Sequence, residues 1–183
     1  MNYLNRFKQI SDEAAESLQG LVSDMINKNT TNILEVGTYA GQATLRLADA
    51  AAQKSDSIKV ISIDDNNDTF SPSAEESLKV SNLFNTSIDF GDLDKKFEEN
   101  IVKANIIYID RFHDQIESKM DLIKKNVIVP TKVIFRNPKN SDDFPFEVSE
   151  VSPEVKPRAR KKATTTETTI DKTIAKETKK ETT

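Results

Sequence analysis

The sequence predicts an α/β fold, with a parallel sheet of about five or six strands and helices on both of its faces. Strand and helix signals alternate along most of the chain, which is typical of parallel strands joined by helical connections. The strands are continuous runs of isoleucine and valine, as strands buried on both faces require. An apolar run that starts at residue 32 ends at Glu35, and Gly37 and Gly41 follow it ahead of a helical pattern. A buried strand therefore turns sharply into a helix there.

Each element has its own signal. An apolar stripe within the first 30 residues predicts a helix that covers the core, with Ser11 and Asp12 available as caps. Residues 93–103 connect the third strand to the fourth. The other elements are a first strand from residue 32, strands over 58–64, 87–90, 105–110 and 132–135, helices over 42–54, 74–84 and 115–125, and one strand within 145–151.

Length and composition limit the organisation of the chain. Its 183 residues, 36% of them hydrophobic, have room for one core, which we place in a domain of residues 1–151. This domain carries 17 basic and 25 acidic residues, whereas residues 152–183 carry nine basic and five acidic ones. An acidic body argues against broad contact with nucleic acid phosphates. Because the chain has no cysteine, a disulfide, a thiol nucleophile and a cysteine-ligated zinc site are excluded.

The two ends of the chain lead to further expectations. There is no run of 18 apolar residues and no signal-peptide pattern at the start, so we expect a cytoplasmic protein without membrane contact. The tail, 152–183, is rich in Lys, Thr and Glu and is predicted to be disordered, because it has too little apolar surface to bury. Its basic cluster, 156–162, either tethers an acidic partner or nucleic acid, or is simply solvated.

Carboxylates stand at or near the ends of four consecutive predicted strands: Glu35, Asp64, Asp92 and Asp110. In open α/β sheets, ligands bind outside the carboxyl ends of the strands. Like charges crowded at one rim are unfavourable without something to bind. Together with the glycine turn and the N–H groups of the helix that follows it, the pattern indicates a nucleotide-like ligand. Taken singly, each carboxylate is also explained as a helix cap.

Four segments give the chain a more specific resemblance. Residues 35–41, Glu-Val-Gly-Thr-Tyr-Ala-Gly, resemble the first motif of class I S-adenosylmethionine (SAM)-dependent methyltransferases, in the variant of the catechol and caffeoyl-coenzyme A O-methyltransferase group. Ile-Ser-Ile-Asp at 61–64, Gly-Asp at 91–92 and Tyr-Ile-Asp-Arg-Phe-His at 108–113 are similar to the motifs of the next three strands. The resemblance covers roughly residues 30–137 and implies a Rossmann-like sheet.

The resemblance also implies a SAM site and a reaction. Asp64 would bind the ribose, Asp92 the adenine edge, and Glu35 would help to hold the methionine amino group. His113, the only histidine in the chain, would be the general base, since its neutral form accepts a proton near neutral pH. A surface or helix-capping role is its alternative. The full set of expected cofactor residues is Glu35, Gly37, Thr38, Tyr39, Gly41, Asp64, Asp92 and Asp110.

The chain departs from the pattern of that group in two places. Where the metal-dependent members have an Asp-Asn pair that binds a divalent cation, this chain has Arg136 and Asn137. A guanidinium opposes a cation, so we expect no catalytic metal and a pairing of Arg136 with Asp110. After Asn137 the domain has room for one strand, but not for the helix and antiparallel strand pair that complete the usual seven-stranded sheet.

Two main hypotheses for the function follow. In the first, the chain is a trimmed SAM-dependent methyltransferase that transfers a methyl group to an unidentified acceptor, an oxygen or a nitrogen, with acceptor recognition supplied by a partner or by a second copy of the chain. In the second, it is a catalytically inactive scaffold with the methyltransferase fold, favoured by Arg136, the short end and the charged tail. A nicotinamide dinucleotide enzyme is a weaker third reading, because two of the glycines of that fingerprint are missing.

Overall fold

The computed structural model describes residues 10–39, 41–65, 76, 85–112, 115–137 and 145–153. Within these residues the chain forms one six-stranded sheet with the strand order β3-β2-β1-β4-β5-β6. The strands are β1 (Asn32–Val36), β2 (Lys59–Asp64), β3 (Thr86–Phe90), β4 (Ile106–Ile109), β5 (Thr131–Arg136) and β6 (Phe146–Val151). The helices are α1 (Asp12–Met25), α2 (Gln42–Lys54), α3 (Leu93–Ile101) and α4 (Ile116–Asn126). The predicted α/β fold is confirmed.

The helices lie in two layers, one on each face of the sheet. On one face, α1 and α2 pack on β1 and β4 around a buried cluster that includes Leu18 and Leu47. On the other, α3 and α4 bury Phe97 and Ile123 against alternate residues of the same strands. Since neighbouring residues of a strand point to opposite faces, a strand covered on both sides must be apolar throughout. All four residues of β4 are buried.

The local signals explain where the helices begin. The side chain of Ser11 accepts a hydrogen bond from the amide of Ala14 at 3.1 Å and caps α1 as expected. The predicted connection after β3 contains the helix α3, whose cap is Asp92. The predicted helix over 74–84 lies outside the described residues apart from residue 76, as does the tail from residue 154.

The sixth strand runs against the other five. β6 pairs with β5 in antiparallel register, with Phe146 opposite Arg136 and Val151 opposite Thr131, whereas every other neighbouring pair is parallel. The single strand predicted within 145–151 is therefore present. An antiparallel edge strand on a parallel sheet is common in folds of this kind.

The order of the strands fixes where a ligand can enter. The chain proceeds outward from β1 to β3, then returns to the other side of β1 to form β4. The connections after β1 and β4 therefore leave the sheet in opposite directions, which opens a crevice at the carboxyl ends of these two strands. The loops at residues 37–41 and 110–112 lie at this crevice, and in both the backbone adopts a positive φ.

Candidate functional site

The turn between β1 and α2 is held in an unusual backbone conformation. Gly37 and Gly41 have φ values of 104° and 84°, and Tyr39 between them has a φ of 47°. The amide of Gly37 donates to the carbonyl oxygen of Ile63 at 2.9 Å, which ties the turn to β2. A left-handed tyrosine costs free energy, so its contacts have to keep it there.

Those contacts come from Asp64, at the end of β2. The amide of Tyr39 donates to Oδ2 of Asp64 at 3.0 Å, and the amide of Asp65 donates to Oδ1 at 2.8 Å. Asp64 is only 5% exposed, and burial raises the pKa of its carboxyl group, while the Tyr39 amide and the guanidinium of Arg111 oppose that rise. The glycine turn and the acid predicted to bind the ribose thus form one hydrogen-bonded unit.

Arg111 lies across this unit. Its Nη2 is 3.0 Å from Oδ1 of Asp64 and 3.3 Å from Oδ1 of Asp65, and its guanidinium carbon stands 4.6 Å from the centre of the Tyr39 ring. A Cβ atom added to Gly37 would come within 2.7 Å of Cγ of Arg111. The space that the first glycine was expected to provide for a cofactor is therefore taken, in this conformation, by the stem of an arginine.

Glu35 lies beneath the first turn of α2, with no exposed surface. Its Oε2 accepts a hydrogen bond from Oγ1 of Thr44 at 2.5 Å, and its Oε1 has no hydrogen-bond partner among the described residues. Burial raises the pKa of this carboxyl group to about 8, so it is mostly protonated at neutral pH. Its expected role at the methionine end of a cofactor stays a prediction, and any such effect would pass through its neighbours.

A row of polar side chains crosses the middle of the sheet beside Glu35. Glu35 lies opposite Ser62 on β2 and opposite Tyr108 on β4. Oγ of Ser62 is 2.6 Å from Oγ1 of Thr38, so the hydroxyl of Thr38 faces β2. Oη of Tyr108 is buried and has no hydrogen-bond partner among the residues that the structure describes. Buried polar atoms of this kind are uncommon in cores and mark a site that stability alone does not explain.

Asp110, at the end of β4, pairs with Arg136, at the end of β5. Nη1 of Arg136 is 3.2 Å from Oδ1 of Asp110, which confirms the pairing expected from the sequence. The carboxyl group is 2% exposed; burial raises its pKa to about 6, and Arg136 acts in the opposite direction. A divalent cation needs anionic oxygens here, and the guanidinium stands in that place. The residues therefore do not fit the metal site that the resemblance to metal-dependent O-methyltransferases would imply.

The predicted adenine ligand has a different role in the described conformation. Oδ1 of Asp92 accepts from the amide of Lys95 at 3.0 Å and so caps α3. The alternative of a capping carboxylate therefore holds for Asp92, and a contact with adenine stays a prediction. His113 lies outside the described residues, so its predicted role as a base stays open too.

Two of the four rim carboxylates have a cationic partner inside the protein. We expected the crowded carboxylates to need a ligand, but Arg111 and Arg136 pair with Asp64 and Asp110. Burial raises the pKa of Glu35 to about 8, which favours its neutral form. No role was predicted for Arg111, although its place directly after Asp110 in the fourth-strand segment puts it at the crevice. Its target is 47 residues away in sequence, so no local pattern reveals the pairing.

Comparison with known proteins places this geometry in context. No protein-family model matches the sequence, and no curated protein matches it either. The fold, however, matches solved O-methyltransferase structures. One is TomG from Streptomyces achromogenes, involved in tomaymycin synthesis and solved in complex with SAM: the TM-score is 0.59 and the identity 17%, over 74% of this chain and 64% of that one. This chain has a methyltransferase fold.

Two further structures agree. An O-methyltransferase from Bacillus cereus, in complex with S-adenosylhomocysteine (SAH), gives a TM-score of 0.59 and 19% identity over 74% of this chain and 65% of that one. A protein described as a putative caffeoyl-CoA O-methyltransferase, from Staphylococcus aureus, gives 0.56 and 24% over 73% and 61%. The resemblance inferred from the four motifs therefore holds in three dimensions. The chain spans less than two thirds of the length of these structures.

Proposed function

We propose that this protein is a SAM-dependent methyltransferase, with its cofactor site at the carboxyl ends of β1, β2 and β4 and an oxygen as the acceptor atom. The observation that carries the proposal is the link between the glycine turn and the acid, in which the amide of Tyr39 donates to Asp64. It joins a close-approach turn to a carboxylate at the next strand end. This arrangement stands at the strand-order switch of a fold shared with structures that hold SAM or SAH.

The residues present suit such a cofactor. Asp64 would accept hydrogen bonds from the ribose hydroxyls, and the first amides of α2 would favour the carboxylate of the methionine part, because a helix N-terminus attracts negative charge. Gly37 and Gly41 contribute no side-chain atoms of their own to the turn. When bound, SAM supplies a methyl group activated by a positive sulfur, so that the protein's contribution is to orient the acceptor and exclude water.

The acceptor molecule is not identified, but the proposal does specify how its oxygen would react. Since Arg136 pairs with Asp110, a divalent cation is not expected to orient the acceptor oxygen. His113 would accept the proton of the acceptor. Acceptor recognition would come from a second copy of the chain or from a partner, because the described residues place only β6 beyond β5 in the sheet.

Calorimetric titration of the protein with SAM, SAH and NAD, with and without Mg²⁺, tests the proposal. We expect binding of SAM and SAH that does not depend on Mg²⁺, and no binding of NAD. Absence of any heat with SAM and SAH at millimolar concentration would overturn it and would favour the catalytically inactive scaffold. Binding that appears only with Mg²⁺ would contradict the metal-free site.

A further inference from the structure

We propose that Arg111 is an internal competitor for the cofactor site: its guanidinium must leave Asp64 before a ribose can bind there, and this exchange sets the affinity for the cofactor. The inference rests on the proposed function, since it concerns the same site. The other residues of this site would attract the cofactor, whereas Arg111 would lower the affinity for it. It also explains how the chain keeps a buried carboxylate ready at the end of β2 while no ligand is bound.

The first argument is the shared partner. Oδ1 of Asp64 accepts from Nη2 of Arg111 at 3.0 Å, and a carboxylate that bridges ribose hydroxyls would need this oxygen. The side chains of Arg111 and Asp64 are 14% and 7% exposed, so water does little to weaken the pair. A ribose therefore competes with a charged, largely buried hydrogen-bond donor rather than with solvent.

The second argument is the shared space. The stem of Arg111 lies over Gly37, where an added Cβ atom would meet its Cγ at 2.7 Å, and its guanidinium covers the ring of Tyr39. Gly37 has no side chain of its own, but Arg111, from the loop after β4, covers it. A ligand that approaches the backbone of Gly37 must displace that stem.

The third argument is that a route exists for the displacement. Arg111 also contacts Oδ1 of Asp65 at 3.3 Å, and the side chain of Asp65 is 49% exposed. When the guanidinium leaves Asp64, it keeps a carboxylate partner at the surface. The amides of Tyr39 and Asp65 still donate to Asp64, so the acid stays in place after the exchange. The cost of the exchange is therefore the loss of one buried ion pair, while the more exposed pair with Asp65 is kept.

The test compares the affinity for SAH in the wild-type protein and in three variants. Arg111→Met removes the charge but keeps an apolar stem over Gly37, and Arg111→Ala removes both. Arg46→Ala is the matched control: it deletes an arginine of α2 that pairs with Glu16 at 3.6 Å on the surface. Calorimetry gives the dissociation constants, and circular dichroism with thermal unfolding shows that each variant is folded.

We expect Arg111→Met to bind SAH about tenfold more tightly than the wild type, which corresponds to about 1.4 kcal/mol. Arg111→Ala should bind at least as tightly as Arg111→Met, and Arg46→Ala like the wild type. A purely structural role of Arg111 would lower stability without tightening the binding.

The outcomes separate the two proposals. If the wild type binds SAH and both Arg111 variants bind equally or more weakly, Arg111 is not a competitor, and the proposed function stands. If only the Arg111 variants bind, both proposals are supported, because the competitor then closes the site. If neither the wild type nor a folded Arg111 variant binds, the proposed function fails and the competitor role fails with it.

Discussion

The two sides of the crevice treat their carboxylates differently. On the β1–β2 side, Asp64 is held by the backbone amides of Tyr39 and Asp65 as well as by Arg111. On the β4–β5 side, the side chain of Arg136 donates a hydrogen bond to the carboxylate of Asp110. A guanidinium on a long side chain moves more easily than a backbone amide held within a tight turn.

This difference suggests which half is prepared for which task. A carboxylate fixed by amides keeps its position when a side chain is exchanged for a ligand, and such preorganisation lowers the cost of binding. A carboxylate paired with an arginine has a partner of fixed positive charge, which suits an internal ion pair. The amide-held carboxylate supports the proposed cofactor site on the β1–β2 side, and the pair of Asp110 with Arg136 opposes a cation on the β4–β5 side.

Glu35→Gln should produce the largest change, in the dependence of stability on pH. Burial raises the pKa of Glu35 from 4.5 to about 8, so the folded protein binds a proton that the unfolded chain releases in this interval. Stability then falls as pH rises from about 4.5 to about 8, by at most about 1.4 kcal/mol per pH unit from this group. The glutamine variant lacks this contribution.

Urea unfolding at several pH values measures the effect. We expect the free energy of unfolding of Glu35→Gln, relative to that of the wild type, to increase steadily as the pH rises from about 5 to about 8. Glu13→Gln, which changes an exposed carboxylate of α1, is the control and should follow the wild-type curve. A constant difference between Glu35→Gln and the wild type would mean that Glu35 is ionised in the fold.

Gly37→Ala tests how closely Arg111 and Tyr39 pack against the turn on the β1–β2 side. The backbone has a φ of 104°, and the new Cβ would lie 2.7 Å from Arg111 and 3.2 Å from Tyr39, so we expect a loss of about 2–3 kcal/mol. Gly20→Ala is the matched control, because Gly20 lies in α1 with nothing within 4 Å of the added atom. It should stabilise the protein by about 0.5–1 kcal/mol.

Denaturant unfolding measures the change in the free energy of unfolding, which should be negative for Gly37→Ala and positive for Gly20→Ala. A loss below about 0.5 kcal/mol for Gly37→Ala would show that Arg111 moves aside easily. That result would also lower the expected cost of displacing Arg111 from the cofactor site.

The fold could be predicted from the sequence because its signals are local. The strand expected over 132–135 is β5, Thr131–Arg136, and the helix expected over 115–125 is α4, Ile116–Asn126. Both are decided by the pattern of apolar residues within one element. The helix α3 was missed as a helix, although a cap at Asp92 and apolar residues at 93, 97 and 101 would have indicated it.

The candidate site could be predicted only in part. Its carboxylates at the strand ends follow from the topology, and the pair of Asp110 and Arg136 follows from neighbouring strands. The placement of Arg111 on Asp64, and the proton held by Glu35, depend on how loops and helices cover the rim. Such contacts are set by tertiary packing between distant segments, which single-element patterns do not encode.

Asp64→Asn removes the charge that the proposed function assigns to the binding of a ribose. The amide keeps an oxygen for the Tyr39 N–H, so the turn should hold, but charged hydrogen bonds contribute about 1.5–3 kcal/mol. We therefore expect SAM and SAH to bind about 10- to 100-fold more weakly. Asp56→Asn, at an exposed position between α2 and β2, is the control and should leave the affinity unchanged. Calorimetry that finds equal affinities for Asp64→Asn and the wild type would show that Asp64 does not contact the ribose.

Arg136→Asp reverses the charge on the β4–β5 side and should produce the smallest effect. It places a second carboxylate beside Asp110, next to Asn137, and so restores the oxygen ligands that a hard cation prefers. Two buried carboxylates repel each other, so the variant should be less stable than the wild type until a cation binds. At 10 mM Mg²⁺ and a dissociation constant of about 1 mM, the gain is about 1.4 kcal/mol.

Thermal unfolding with and without Mg²⁺ measures this gain. The melting temperature of Arg136→Asp should rise with Mg²⁺, while the wild type and Arg136→Ala should not respond, because each has a single carboxylate at the pair. If the wild type responds as strongly as Arg136→Asp, the cation binds elsewhere and Arg136 does not close the site. If none of the three responds, charge is not what separates this side of the crevice from a metal site, and Arg136 does not close it.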